Sequence, residues 1–317
     1  MTMKELTNLE SSNNKKLLVV LPVNKIHNKS LNQAIYSLRE QSYSIDLLVL
    51  ASKDLSDDDF KSLTDILEES KIDESYQDKD GKLQMKTISS TKPLNYAIET
   101  TTKTTFQSLF NEGFNYSLTN GYEWFSVIEY PDAVDRNWYK TFDAYSSQKE
   151  GVDVYVPIAK QSVNGFFKGF LNESCWAEGF AEEAGLFDQQ MLVRMNCINL
   201  TGAVLKTEAI KQYSEEKDGA FYPMKESFQI TSSYEFFLRF VYNDIKVFTI
   251  PRIGYEYTLN TNPESYDKFL SKVPANLLQL SKENGGVSQQ EYQFWIQAAK
   301  KEYFFDEDRS IEYKETV

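Results

Sequence analysis

Histidine and cysteine, on which many catalytic and metal sites depend, are scarce in this chain of 317 residues: the only histidine is His27, and the two cysteines are Cys175 and Cys197. A Ser-His-Asp or Cys-His mechanism would rest on one histidine in a polar segment, where a solvated loop residue is expected instead. Two distant cysteines form no CxxC pair and no disulfide scaffold, and together with one histidine they exclude a Cys/His metal site. We expect two buried thiols in a reducing compartment.

Long apolar runs and an excess of basic residues are missing as well. The longest apolar run, residues 17–23, is far shorter than the about 20 residues of a membrane-spanning helix. Residues 1–15 are polar, so the sequence predicts neither a signal peptide nor a membrane span. The 34 basic against 47 acidic residues give a net charge of −13, which argues against nucleic-acid binding. Hydrophobic residues make up 41% of the chain, which excludes wholesale disorder.

What the sequence does contain is an alternation of buried strands and amphipathic helices in its first half. Ser30 and Ser56 are predicted to cap two of the helices, and residues 69–82 are predicted to form a loop. The predicted strands are 16–23, 45–51, 83–89 and 124–130, and the predicted helices are 31–42, 57–68, 94–100 and 105–117. This alternation predicts an α/β fold with a mostly parallel central sheet and helices on both faces.

The rhythm changes beyond residue 150. The sequence there predicts strands at 152–158, 197–205 and 245–250, a loop region rich in glycine and aromatic residues at 165–185, and helices at 231–242, 265–283 and 287–304. We therefore divide the chain into a flexible leader (1–15), one α/β domain (16–260) and a C-terminal helical extension (261–317).

Two carboxylates follow the strand predicted at 124–130. Glu129 and Asp132 lie where the carboxyl ends of parallel strands face the ligand crevice of open α/β sheets. Mg²⁺ or Mn²⁺ could take such carboxylates as ligands and bridge them to a diphosphate. The simpler interpretation, which the residues alone favour, is a turn in which Asp132 bonds its own backbone.

The order of these segments resembles family 2 glycosyltransferases of the GT-A fold, and the chain is similar to the members that large bacteriophages and giant viruses encode. Pro22 and Asn24 match the end of the family's first strand, and Asp54 matches the aspartate-rich segment after the second. Asn111 and Gly113 match the helix that holds the nucleotide-sugar. The resemblance implies that these five residues bind the cofactor.

The catalytic motifs of the family are altered in this chain. The metal-binding Asp-x-Asp aligns with Glu129, Tyr130 and Pro131, and proline offers no ligand atom. The catalytic base belongs to a Glu-Asp pair that aligns with Ser232 and Ser233. The arginine of the nucleotide-contacting helix is replaced by Phe110. The resemblance then leaves Glu129 and Asp132 as the metal ligands and Glu235 as a substitute base.

A cluster of aromatic residues lies where the family places its acceptor-binding loops. It could stack on sugar rings or anchor a protein interface, and we favour the interface because the catalytic groups beside it are altered. The cluster consists of Phe166, Phe167, Phe170, Trp176, Phe180 and Phe187.

We therefore expect a glycosyltransferase-like protein that is non-catalytic and serves as a structural or binding component of a larger assembly, such as a virion. It would bind protein partners or self-assemble, need no cofactor, and be cytoplasmic or virion-associated. The alternative is an active glycosyltransferase that uses Mn²⁺ or Mg²⁺ with a UDP- or GDP-sugar and transfers a hexose to a glycan or protein.

Overall fold

The computed structural model of the chain describes residues 6–7, 16–77, 79, 82–130, 132–163, 166–176, 181–187, 198, 200, 202–226, 232–241, 243 and 245–259. The helices predicted at 265–283 and 287–304 lie outside the described residues. Within the predicted leader, Leu6 and Thr7 form a short strand that pairs with Ile98 and Ala97. The division of the chain into leader, domain and extension stays a prediction.

The described residues form helices and strands that alternate regularly only in the first half. The helices are α1 (Asn28–Arg39), α2 (Asp57–Glu68), α3 (Phe106–Thr119), α4 (Trp138–Ser146), α5 (Thr207–Lys211) and α6 (Ser232–Val241), with a 3₁₀ turn at Glu173–Trp176. The strands are β1 (Leu6–Thr7), β2 (Leu17–Val23), β3 (Asp46–Ser52), β4 (Ser70–Gln77), β5 (Leu83–Ser90), β6 (Asn95–Thr101), β7 (Trp124–Val127), β8 (Ala133–Val134), β9 (Val154–Val163), β10 (Phe166–Leu171), β11 (Ala181–Glu183), β12 (Leu186–Phe187), β13 (Val204–Lys206), β14 (Glu215–Lys217), β15 (Ala220–Tyr222) and β16 (Val247–Leu259).

One large sheet forms the centre of the molecule. Its strand order is β1-β6-β3-β2-β7-β13-β9-β16-β12-β11, with β10 beside β9 and β8 beside β16. The strands β6, β3, β2 and β7 run parallel to one another, and β9 runs parallel to β16. The predicted strands at 16–23, 45–51 and 124–130 are confirmed as β2, β3 and β7, of which β7 ends early, at Val127.

Helices cover both faces of this sheet, as the sequence predicted. Alternate side chains of β2 point to opposite faces, so Val20 and Val19 belong to two different hydrophobic cores. The core on the Val20 side is closed by α3 and α6, and the core on the Val19 side by α1, α2 and α4. Every residue of β2 is buried because the strand is covered on both faces.

Two predictions in the first half are wrong. The predicted helix at 94–100 is the strand β6, in which Tyr96 and the β-branched residues Ile98 and Thr101 suit a sheet covered by helices. The predicted loop at 69–82 contains the strand β4. The strand predicted at 83–89 is confirmed as β5, but it pairs with β4 in a separate hairpin and not in the central sheet.

The start of α1 also differs from its prediction, whereas that of α2 is confirmed. Ser30 lies inside α1, which begins at Asn28 after His27, and His27 makes no side-chain cap bond. The spacing of the apolar residues correctly predicts which face of α1 is buried, but it does not predict where the helix begins. Ser56 caps α2 as predicted, since its hydroxyl accepts a hydrogen bond from the Asp59 backbone N–H at 3.1 Å.

In the second half the helix predicted at 231–242 is confirmed as α6. The strands predicted at 152–158 and 245–250 exist but extend further along the chain, as β9 and β16. Of the strand predicted at 197–205, only residues 204 and 205 belong to a strand, β13, and the described residues 198, 200, 202 and 203 do not. The predicted loop region at 165–185 contains the strand β10, which pairs antiparallel with β9. None of the helices in the described part of the chain is long and apolar enough to cross a membrane.

Candidate functional site

The carboxyl ends of β6, β3, β2 and β7 form one edge of the sheet and bring several predicted site residues together. The Lys53 backbone N–H donates to the carbonyl of Thr101 at 2.9 Å, which ties the loop after β3 to the end of β6. The Asn24 amide donates to the Thr104 carbonyl at 3.3 Å, which joins the loops after β2 and β6. In open α/β sheets, ligands bind in a crevice outside this edge.

Asn24 and Asp54 are exposed at this edge, while Pro22 is buried within β2. The Asp54 backbone N–H donates to the Ser52 hydroxyl at 3.2 Å, and this bond shapes the turn that presents Asp54. Pro22 lies beside Leu50 of β3 in the parallel register. Asn24 and Asp54 are therefore accessible to a ligand, whereas Pro22 is part of the buried strand β2.

Asn111 and Gly113 lie on α3, and the structure gives both of them packing roles. The Asn111 carboxamide donates to the Met224 carbonyl at 2.8 Å and accepts from the Met224 N–H at 2.9 Å. A Cβ on Gly113 would lie 2.8 Å from Cγ2 of Val20, so glycine allows α3 to approach β2 closely. Their predicted contacts with a nucleotide stay predictions.

Phe110, which stands at the arginine position of the family motif, belongs to the hydrophobic core. Its ring makes edge-to-face contacts with Phe125 at 5.0 Å and with Phe236 at 5.8 Å between centroids. Phe110 is fully buried, so this position of α3 faces β7 and α6 rather than the open edge of the sheet. The phenylalanine at the position of the family's arginine therefore contributes to the hydrophobic core.

Asp132 is held inside the fold by residues of β16. The Tyr255 hydroxyl donates to Oδ2 at 2.9 Å, and the Thr258 backbone N–H donates to Oδ1 at 2.7 Å. Asp132 is only 4% exposed, and this burial raises the pKa of its carboxyl well above its usual value, with the nearby charge of Glu129 adding to the rise. Both carboxylate oxygens are therefore engaged within the protein.

Glu129 stands on the other side of the same turn, which the Asp132 N–H closes by donating to the Glu129 carbonyl at 3.0 Å. Glu129 is exposed, yet the protein packed around it raises the pKa of its carboxyl to about 7. Since water reaches this residue, its carboxylate ionises more readily than one fully enclosed. Glu129 is thus a solvent-accessible carboxylate in crowded surroundings, as expected at the wall of a cleft.

The residues at this edge do not fit the divalent-metal site that the resemblance implies. Asp132 uses both carboxylate oxygens within the fold, and Pro131 offers no ligand atom. Over the ranges that the structure describes, no three His, Cys, Asp or Glu side chains cluster closely enough to hold a metal ion. Glu129 is left as a single carboxylate, whereas Mg²⁺ and Mn²⁺ sites take several oxygen ligands.

Glu235, the predicted substitute base, is buried in ion pairs on α6. The Arg239 guanidinium contacts both of its carboxylate oxygens at 2.9 and 3.1 Å, and the Lys225 ammonium lies 3.2 Å from Oε1. Arg239 also donates to the Tyr213 carbonyl at 3.3 Å. The geometry therefore describes a link between α6 and the segment at 213–225.

Ser232, one of the two serines aligned with the catalytic pair, also serves the fold. Its hydroxyl accepts a hydrogen bond from the Gln107 amide of α3 at 2.8 Å, and both residues are buried. No local pattern in the sequence indicates this contact or the hydrogen bonds of Asp132 and Asn111, because each partner lies more than 100 residues away in the chain.

The predicted aromatic cluster is divided by the fold. Phe166, Phe167 and Phe170 lie on β10 and are exposed, whereas Phe187 is buried in the core. Trp176 is 40% exposed, and its indole N–H donates to the Thr249 carbonyl at 3.0 Å. Phe180 lies outside the described residues.

Comparison with known proteins gives a relationship of structure only. No protein-family model and no curated protein matches the chain. The structure is similar to that of S. aureus TarS residues 1–349 in complex with UDP, with a TM-score of 0.50, 13% identity, and coverage of 95% of this chain and 75% of that one. A second structure of S. aureus TarS has a TM-score of 0.49 at 13% identity, over 93% of this chain and 44% of that one. The chain has a mixed α/β fold with a curled central sheet, similar to GT-A glycosyltransferase structures.

Proposed function

We propose that this chain is a glycosyltransferase-like protein that does not catalyse metal-dependent sugar transfer and serves as a structural or binding component of a larger assembly. The observation that carries the proposal is the burial of Asp132, which is only 4% exposed and whose two carboxylate oxygens accept hydrogen bonds from Tyr255 and Thr258 inside the fold. The resemblance to proteins of large bacteriophages and giant viruses supports a virion as that assembly.

The chemistry of sugar transfer explains why these contacts matter. A metal-dependent transferase uses its cation to neutralise the leaving diphosphate, and this contributes several kcal/mol of transition-state stabilisation. A general base typically adds about 10²–10⁴-fold by taking the proton of the acceptor hydroxyl. In this chain the residues for both tasks are replaced, or are bound within the fold as Asp132 and Glu235 are.

A binding role is supported by the hairpin of β4 and β5. Its base is attached to α1, where the Arg39 guanidinium donates to the Ser70 hydroxyl at 3.2 Å. Its outer part carries exposed apolar side chains, with Tyr76 at 49%, Leu83 at 72% and Met85 at 63% exposure. Exposed apolar residues grouped on one projecting element are typical of surfaces that bind a partner.

The alternative, an active glycosyltransferase, is favoured by one specific observation. Glu129, Asp54 and Asn24 are all exposed at the carboxyl edge of the sheet. In this second proposal they would contact a UDP- or GDP-sugar, with Mn²⁺ or Mg²⁺ as cofactor, and Glu235 would have to leave its ion pairs to act as the base.

Thermal melting separates the two proposals. We expect no rise in Tm when Mn²⁺ and UDP, GDP, UDP-glucose or GDP-mannose are added, because a ligand stabilises only a protein that binds it. A rise that Glu129→Ala abolishes would overturn the proposal in favour of the alternative. Glu123→Ala is the matched control, since Glu123 is an exposed glutamate just before β7, at the opposite edge of the sheet.

Assembly is tested separately by the mass of the native particle. We expect the chain to be recovered from its natural source within a particle much larger than its own 36.7 kDa. Light scattering that finds only free chains of that mass in the same source would contradict the structural role.

A further inference from the structure

The outer parts of β9, β10 and β16 form a small three-stranded extension of the sheet, here called the aromatic wing (residues 159–163, 166–171 and 255–259). β10 pairs antiparallel with β9 from Val163 back to Ala159, and β16 pairs parallel with the other side of β9 over the same residues. β10 is therefore the outermost strand of the wing.

Three phenylalanines of β10 are exposed on the wing. Phe166 is 73%, Phe167 is 55% and Phe170 is 37% exposed. The register shift between Phe167 and Gly169 places Phe167 opposite Ser162 and Phe170 opposite Lys160, so both rings stand on one face of the sheet. These two rings contact each other edge to face with centroids 5.2 Å apart.

The chain leaves the described fold beside these rings. Leu259, the last residue of β16, lies next to Val163 of β9, and Val163 in turn pairs with Phe166. The segment that follows, residues 261–317, has apolar residues at the spacing of amphipathic helices. These residues are Phe269, Leu270, Val273, Leu277, Leu278 and Leu280, followed by Tyr292, Trp295, Ile296 and Ala299.

The size of the patch favours a tethered occupant over a free one. Phe166 lies opposite Val163 and so stands on the other face, which leaves Phe167 and Phe170 as the patch. At about 200 Å² for a whole phenylalanine side chain, the exposed parts of these two rings amount to about 180 Å². A stable interface between separate proteins buries about 800 Å² on each partner, so these rings alone are too small to hold one. A segment of the same chain has an effective concentration near the millimolar range and can be held by a smaller patch.

We propose that the aromatic wing is the docking site of the chain's own C-terminal segment, residues 261–317, whose apolar residues cover Phe167 and Phe170. The interface expected from these aromatics is then formed within one chain. This inference is independent of whether the edge near Glu129 binds a sugar nucleotide.

Hydrogen exchange of the full chain tests the proposal. Phe167→Ser combined with Phe170→Ser should make amides within 261–283 exchange about tenfold faster, because the segment loses its docking surface. Leu83→Ser with Met85→Ser is the matched control, since it removes two exposed apolar residues from a different hairpin. Equal exchange of 261–283 in the wild type and in the wing variant would overturn the proposal.

Photo-crosslinking gives a second test that does not depend on weakening the contact. Benzoylphenylalanine at position 167 should form crosslinks within one chain to residues of 261–317, and the same group at position 83 should not. Crosslinks only between two chains would show that a second copy covers the wing and would overturn the proposal. The absence of any crosslink to 261–317 would overturn it as well.

Discussion

Polar residues are exposed in one half of the molecule and bonded within the protein in the other. At the carboxyl edge of β6, β3, β2 and β7, Asn24, Asp54 and Glu129 are exposed. In the half built from β9, β16 and α6, the polar groups bind other parts of the protein, as Tyr255 binds Asp132 and Arg239 binds Glu235. A glycosyltransferase-like fold can thus keep polar side chains exposed at the carboxyl ends of its parallel strands while Asp132 and Glu235, two carboxylates close to the altered motifs, are bonded within the fold.

The largest effect is expected at Asp132, where the two halves meet. Asp132→Ala removes the acceptor of the Tyr255 hydroxyl and of the Thr258 N–H, both in the interior. Each buried donor left without a partner costs about 1–3 kcal/mol, so we expect the free energy of unfolding to fall by about 3 kcal/mol. Urea denaturation followed by circular dichroism measures this change.

Glu129→Ala is the control for this comparison, because Glu129 lies three residues away in the same turn but is exposed. We expect this variant to change the free energy of unfolding by less than about 0.5 kcal/mol. Equal losses in the two variants would show that Asp132 has no special structural role and would break the contrast between the two halves.

The next largest effect is expected at Glu235. Glu235→Ala leaves the Arg239 guanidinium without its buried carboxylate partner and removes the Lys225–Glu235 ion pair. Breaking a fully buried ion pair costs about 3–5 kcal/mol, and because both cations are partly exposed here we expect a loss of about 2 kcal/mol. Urea denaturation again measures it, and Glu208→Ala is the control, since that glutamate pairs with Lys211 at the surface. An unchanged free energy of unfolding in Glu235→Ala would show that these ion pairs do not hold the residue, which would again make Glu235 a candidate catalytic base.

The sequence predicted the first half of the fold well where a buried element appears as a continuous apolar run or is marked by a nearby capping residue. The strands β2 and β3 are covered on both faces, so their composition alone reveals them, and Ser56 marks the start of α2 through a contact three residues away. β6 was predicted as a helix because its few apolar residues fit both periods, and only its place between β1 and β3 makes it a strand.

The candidate site was predicted less completely, for a physical reason. The alignment of motifs indicated which positions were altered, but not what had replaced their function. The partner of Asp132 lies 123 residues away and that of Asn111 lies 113 residues away. Such pairs depend on how the whole sheet folds, and no local pattern in the sequence encodes them.

A smaller effect is expected at Gly113, where the question is whether glycine serves packing or a ligand. In Gly113→Ala the added Cβ would lie 2.8 Å from Cγ2 of Val20. Overpacking costs about 1–3 kcal/mol, and alanine regains part of it through its higher helix propensity, so we expect a net loss of about 1 kcal/mol. Val20→Ala combined with Gly113→Ala should cost less than the sum of the two single changes. Strict additivity in this cycle would contradict the packing role.

The smallest effect is the pH dependence that Glu129 contributes. Its pKa rises from about 4.5 in the unfolded chain to about 7 in the folded protein. The folded state therefore holds its proton more tightly, so this contribution to stability is complete below about pH 4.5 and is lost as the pH rises to about 7.

Glu129→Gln cannot ionise, so its Tm minus that of the wild type should increase over this range by about 1–2 °C, a small value because water reaches the residue. Asp132 is present in both proteins. The difference between their Tm values therefore reports the ionisation of Glu129 and the repulsion between the charges of Glu129 and Asp132. A difference that does not vary with pH would show that this carboxylate is well solvated and that the open edge has no crowded cleft at Glu129.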